Sequence, residues 1–113
     1  MKKFVLLVLV LITGLTVFSQ GIEFQKGRYA EVLEMAKKQN KLVFIDIYTS
    51  WCGPCKHMAD KVFPQAKVGE YYNAHFLNLK LDAEKSEDGK MVAKTFGVSA
   101  YPTFLFVNGD GEL

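Results

Sequence analysis

Cysteine and histidine are scarce: the 113 residues hold two cysteines, Cys52 and Cys55, and two histidines, His57 and His75. A single cysteine pair, three positions apart, excludes a small scaffold stapled by several disulfides. A structural zinc site needs four ligands. Only the two histidines could complete one, and a zinc knuckle does not suit Pro-Cys-Lys at a helix start, so no metal is expected. Internal repeats and low-complexity segments are absent. So is any apolar run of the roughly 20 residues that a membrane span wants.

Charge of one sign is also missing from most of the chain. The excess of 14 basic over 12 acidic residues comes from Lys2 and Lys3, and without them the two signs balance. No basic patch remains to argue for nucleic acid or an acidic membrane surface.

Those two lysines open a different kind of segment. Met1-Lys2-Lys3 is followed by the apolar run Phe4 to Phe18, and Val17 and Ser19 suit the positions before a signal-peptidase cut. Residues 1–19 are therefore expected to be a signal peptide, with an uncleaved anchor as the alternative. The protein is expected to be exported, periplasmic or secreted, or anchored facing the periplasm. It meets a membrane only if the segment stays attached. Export would also put the cysteines where disulfides persist.

The rest reads as a linker over 20–27 and one domain over 28–113. Tyr29, Val32, Leu33 and Ala36 recur at helical spacing, giving a helix that ends near Asn40. Leu42 to Tyr48 is a β-branched and aromatic run that suits a central strand buried on both faces. A helix should start at Gly53-Pro54, with proline at the first helical position, and stop or bend before Pro64. A further turn or two covers Lys67 to Asn73. Leu77, Leu79 and Leu81 alternate with Asn78 and Lys80, so Phe76 to Leu81 is a strand. The charged loop from Asp82 to Lys90 leads into a helix ending at Gly97. Thr103 to Val107 is a third strand, and Asn108-Gly109-Asp110-Gly111 is a turn. The order α-β-α-β-α-β implies an α/β sandwich with right-handed crossovers.

Trp51-Cys52-Gly53-Pro54-Cys55-Lys56 falls where the buried strand gives way to a helix. The thiolate is the reactive species, and a helix N-terminus lowers the pKa of Cys52. Two intervening residues return Cys55 within one turn, close enough for a disulfide. Pro54 stiffens the turn, and Trp51 offers a flat apolar wall for a substrate chain. Cys52 would attack a substrate disulfide, and Cys55 would resolve the mixed disulfide. The competing reading is a static disulfide, but a bridge across so small a loop is a poor staple. Asp46 is an acid between Ile45 and Ile47. Burial would raise its pKa toward neutrality and suit it to take the proton of Cys55, unless it serves structure alone.

Two motifs far apart carry a resemblance. Phe44-Ile45-Asp46-Ile47-Tyr48 leading into Trp51-Cys52-Gly53-Pro54-Cys55-Lys56, with Phe96-Gly97-Val98 and Tyr101-Pro102-Thr103-Phe104, resembles the thioredoxin family from about Lys26 to Leu113. The chain is most similar to exported thioredoxin-like domains, including the C-terminal domain of bacterial transmembrane thiol:disulfide reductases.

The resemblance implies a three-layer α/β/α sandwich that stops before its last strand and helix, leaving Thr103 to Val107 as an edge. It implies a cis Tyr101-Pro102 bond facing the cysteines, where an ordinary trans bond is the alternative. The backbone of Tyr101 would pair with an extended substrate, so Trp51, Gly53, Pro54, Tyr101 and Pro102 form the expected substrate face. Asp46 matches the family's buried carboxylate, and Asn78 is read at the place of the lysine often found beside it. The expected activity is reduction of protein disulfides without metal or organic cofactor. The expected partners are disulfide-bearing proteins and an electron donor, with a transmembrane relay in view. An exported oxidase or isomerase, or a redox-inert binding module, is the alternative.

Overall fold

The computed structural model describes residues 20–113, so the expected signal segment lies outside the described residues. The first helix, α1 (Tyr29–Gln39), buries Tyr29, Val32 and Ala36, the face that the spacing marks. Asp88 accepts the Tyr29 N–H at 2.9 Å and pairs with the Arg28 guanidinium at 3.1 Å, so a carboxylate from a distant helix caps the start of α1. Asn40 ends the helix in the left-handed region at φ 52°, a conformation that asparagine tolerates better than most residues.

β1 (Leu42–Tyr48) is the centre of a three-stranded sheet in the order β2-β1-β3. It pairs in parallel with β2 (Phe76–Asp82) and antiparallel with β3 (Thr103–Val107). The third strand is thus not reached by a parallel crossover, as the alternation of elements implied. The chain re-enters the sheet at the end where it left: Thr103, the first residue of β3, stands opposite Ile47 near the end of β1. Between β1 and β2 come α2 (Gly53–His57), a π-helical turn (Met58–Val62) and α3 (Ala66–His75). α3 is longer than the sequence suggested and runs straight into β2, with His75 as its last residue. α4 (Glu87–Thr95) starts at Ser86, whose Oγ accepts the Gly89 N–H at 2.8 Å.

The two-residue period of the strands separates two faces. Val43, Ile45, Ile47, Leu77, Leu79, Leu81, Leu105 and Val107 face α1 and α4 and form the main core with Val32 and Val92. On the other face Phe44 meets Phe63 and Tyr72, with ring centroids 6.2 and 4.9 Å apart. This places α2, the π turn and α3 on that side and makes the molecule three-layered. Asp46, Asn78 and Lys80 share the period of Phe44 and lie on this second face. Phe104 and Phe106 share it too, and each keeps 38% of its surface exposed.

The segment 20–27, expected as a linker, is held against the domain. Phe24 bridges Asn78 in parallel, and the Gln25 N–H donates to the Asn78 carbonyl at 2.8 Å. The Ile22 N–H reaches the Phe63 carbonyl at 2.8 Å. Asn73 clasps the same stretch, accepting the Glu23 N–H and donating to the Gly21 carbonyl. Gly69 makes this approach possible: a methyl group there would overlap the backbone of Gln20 and Gly21.

Candidate active site

The C-terminal ends of the parallel strands and the start of β3 meet at one end of the sheet, and the cysteines lie there. Cys52 is the N-cap of α2, with extended backbone, and its Sγ accepts the Cys55 N–H at 3.1 Å. Pro54 occupies the second helical position rather than the first, after Gly53. Its missing N–H spares the first turn one donor that would have no intrahelical acceptor. Cys52 and Cys55 are joined by a disulfide, with Cα atoms 5.2 Å apart.

The thiol pair is not split into an exposed and a hidden member. Cys52 retains 4% and Cys55 6% of its surface in the disulfide form, so exposure does not separate their roles. Position does. Cys52 caps the helix and accepts an N–H that would stabilise a thiolate there, whereas Cys55 lies inside the first turn and lines a cavity with Asp46. Nothing stands within 4 Å of where a side chain on Gly53 would project, so the first residue of α2 faces open space between the two buried cysteines.

Two aromatic rings meet next to this helix start. Trp51 is 68% exposed, and its edge meets Tyr101 with centroids 6.0 Å apart. Its indole N–H donates to the Glu84 carboxylate, on the loop between β2 and α4. That loop is shaped by Asp82, whose Oδ1 accepts the backbone N–H groups of Glu84 and Lys85. The Tyr101-Pro102 bond is cis, as the resemblance implied. The Thr103 hydroxyl donates to the Ala100 carbonyl at 2.6 Å and closes this turn at the head of β3.

Asp46 is 2% exposed, and its Oδ1 has no hydrogen-bond partner. Burial pushes its pKa up to about 6, opposed by the Lys80 ammonium. Asp46, Thr49, Cys55 and Lys80 line one cavity of about 200 Å³. The lysine beside the carboxylate is therefore Lys80, which the strand register sets opposite Asp46. Asn78, read at that place from the sequence, stands opposite Phe44 instead. Its amide donates to the Tyr72 carbonyl and to the Asn73 side chain, both at 3.3 Å. Alternation put Asn78 and Lys80 on the same face, and only the register separates them.

Sequence reasoning also missed Glu84, Tyr48 and Phe24. The Lys80 ammonium lies 5.1 Å from the Tyr48 ring centre and 5.3 Å from that of Phe24. No spacing rule links these positions. His57 is an exposed helix residue. Among the described residues no helix is long and apolar enough to cross a membrane.

A disulfide at the start of a helix whose first residue faces open space, with a buried carboxyl sharing a cavity with Cys55, is equipped for thiol–disulfide exchange. The comparisons agree with this geometry. The thioredoxin family model matches residues 22–113. Thioredoxin H2-1 of Oryza sativa subsp. japonica is 39% identical over 88 residues, which cover 78% of this chain and 59% of that protein. The solution structure of a candidate disulphide-isomerase from Bacteroides thetaiotaomicron is 47% identical, with a TM-score of 0.71, covering 83% of this chain and 77% of that one. Spinach chloroplast thioredoxin f, in its short form, is 30% identical with a TM-score of 0.60, covering 84% of this chain and 78% of that one. The chain spans between 44% and 68% of the length of the first five curated relatives it matches. This chain belongs to the thioredoxin family.

Proposed function

We propose that the protein is a thiol–disulfide oxidoreductase that reduces disulfides in protein substrates outside the cytoplasm. The observation that carries this reading is the disulfide between Cys52, at the cap of α2, and Cys55, which lines one cavity with the buried Asp46. In the reduced protein the Cys52 thiolate attacks one sulfur of a substrate disulfide. A mixed disulfide forms and a substrate thiolate leaves. Cys55, giving its proton to Asp46, then attacks Cys52 Sγ. The Cys52–Cys55 bond forms, the mixed bond breaks, and the second substrate thiol departs. Two electrons and two protons pass from the enzyme dithiol to the substrate.

Trp51, Gly53, Pro54, Tyr101 and Pro102 form the face on which an extended substrate lies. The Tyr101 backbone, just before β3, offers strand-like pairing. The Gly-Pro pair between the cysteines resembles the reducing members of the family and supports reduction as the direction. The charged start and apolar run of residues 1–18, with Ser19 before the cut, support export. A protein working outside the cytoplasm needs a dithiol donor there, and a transmembrane relay is the class of partner that would supply one. Neither metal nor organic cofactor enters these steps.

The test is turnover of a model protein disulfide by the reduced protein, followed by thiol release. Stoichiometric release of two thiols per Cys52–Cys55 disulfide formed is expected. A protein that binds the substrate without exchange would instead be a redox-inert binding module. The name given to the Bacteroides structure favours a second reading, disulfide isomerisation. Recovery of activity from a scrambled multi-disulfide substrate, at a rate exceeding simple reduction and reoxidation, would favour it.

A further inference from the structure

We propose that Phe24 is a positioning residue for Lys80: with Tyr48 it brackets the ammonium and holds it at the wall of the cavity shared by Asp46 and Cys55. This rests on the reading of Asp46 as the acceptor of the Cys55 proton. A lysine side chain has four rotatable carbons and a strongly hydrated head, so a cross-strand position alone does not fix where its charge lies. Among the described residues Lys80 has no ion pair within 4.0 Å, the two present being Arg28–Asp88 and Lys37–Asp110. What surrounds its ammonium is aromatic: Phe24 at 5.3 Å and Tyr48 at 5.1 Å from the ring centres. Both distances lie within reach of a cation–π attraction.

Phe24 is itself held on several sides. Its backbone bridges Asn78, its ring meets the edge of Phe63 at 5.5 Å, and the clasp of Asn73 fixes the residues before it. A residue in a free linker could not hold a charge in place, and this one can. Lys80 and Ala59 line both the cavity of Asp46 and a second one, of about 370 Å³, that is bounded by Phe24 and Phe63. The lysine is the partition between them. Losing the Phe24 ring face would let the ammonium drift into the second cavity, away from the carboxylate it stabilises.

The charged and titratable groups facing this region set the size of the effect. Lys80 comes from β2, Asp46 and Tyr48 from β1, Cys55 and Lys56 from α2, and Glu23 from the N-terminal segment. Arg28, Glu87 and Asp88 share a further cavity with Lys80, and Arg28 is engaged by Asp88. Lys80 is the cation that opposes the rise in the Asp46 pKa, so its displacement should raise that pKa further.

The experiment follows the Asp46 carboxyl by carbon NMR through a pH titration of the oxidised protein. Phe24→Leu keeps apolar bulk against Phe63 and removes the ring face; Phe24→Tyr keeps it. The midpoint should rise by roughly half a pH unit in Phe24→Leu and return in Phe24→Tyr. It should rise at least as far in Lys80→Met, with no further rise when Phe24→Leu is added. An unmoved midpoint in Phe24→Leu, or equal rises from the two changes that simply add, would overturn the proposal. A second measurement needs no variant. In the wild-type protein the Lys80 ε-protons should be shifted upfield by the two rings, and random-coil shifts would equally refute it. Because these readouts do not use activity, they separate two failures. If the midpoint moves as stated but the pH–rate profile ignores it, Phe24 positions Lys80 and Asp46 is not the proton acceptor.

Discussion

Asp46 and Lys80 stand directly opposite each other on β1 and β2, and both side chains line the cavity that reaches Cys55. The pairing is incomplete: Asp46 remains a buried acid with an unpartnered oxygen and a pKa near 6. Desolvation of the carboxylate outweighs the attraction of the ammonium. The site thus holds a carboxyl able to take or give a proton near neutral pH.

The first prediction concerns stability against pH. The folded pKa of Asp46 lies above the unfolded value of 3.8, so between about pH 4 and 6 the native state binds more protons. Wild-type stability therefore falls as pH rises through this window. Asp46→Asn removes the fall. Urea unfolding of the oxidised protein should show the variant more stable by about 2–3 kcal/mol at pH 7.5 and little different below pH 4. The same variant should slow resolution of the mixed disulfide near neutral pH. A stability difference independent of pH would show that Asp46 is not the group that titrates.

A second prediction separates the cysteines. Cys52→Ser should abolish exchange, because the proposed mechanism makes the thiol at the helix cap the one that attacks. Cys55→Ser should make one attack and then stop, accumulating a mixed disulfide that mass spectrometry detects. Since both residues are buried to a similar degree, the asymmetry tests position and not exposure. Equal residual turnover in the two variants would reverse the assignment.

Glu84 offers a third. Its carboxylate accepts the Trp51 indole N–H and so orients a ring that is otherwise mostly exposed. Glu84→Ala should raise KM for a protein disulfide by roughly fivefold, the equivalent of one exposed hydrogen bond of about 1 kcal/mol, and leave kcat nearly unchanged. Trp51 is the sole tryptophan, so steady-state anisotropy reads its freedom directly and should fall in the variant. Unchanged anisotropy would mean that Tyr101 alone holds the indole.

The fourth prediction addresses the sheet. Among the described residues β3 pairs only with β1, leaving its outer backbone groups unpaired, and Phe104 and Phe106 are partly exposed beside it. Such an edge is a template for pairing between chains. Residues 20–113 should therefore sediment as a concentration-dependent mixture, with a melting temperature that depends on concentration. A monomer at all concentrations with a sharp transition would show the edge to be protected.

The sequence by itself determined what depends on near neighbours. The three-residue spacing of Cys52 and Cys55 puts both sulfurs within one helical turn, whatever the rest of the chain does. The continuous apolar character of Leu42 to Tyr48 fixed β1 as a central strand, with Asp46 an acid inside it. Alternating leucines placed Asn78 and Lys80 together on the opposite face of β2. The cis bond before Pro102 was legible only through resemblance. Tertiary structure decided the rest. Whether Asn78 or Lys80 met Asp46 depended on a register two residues wide, to which alternation is blind because both choices leave the leucines in the core. The antiparallel course of β3 depended on which end of the sheet the chain re-entered. The short stretch 20–27 looked like a linker because its one alternating run, Ile22 to Gln25, is only four residues long and is bounded by Gly21 and Gly27. It gains its order from Gly69, Asn73 and Asn78, which only the folded chain brings alongside.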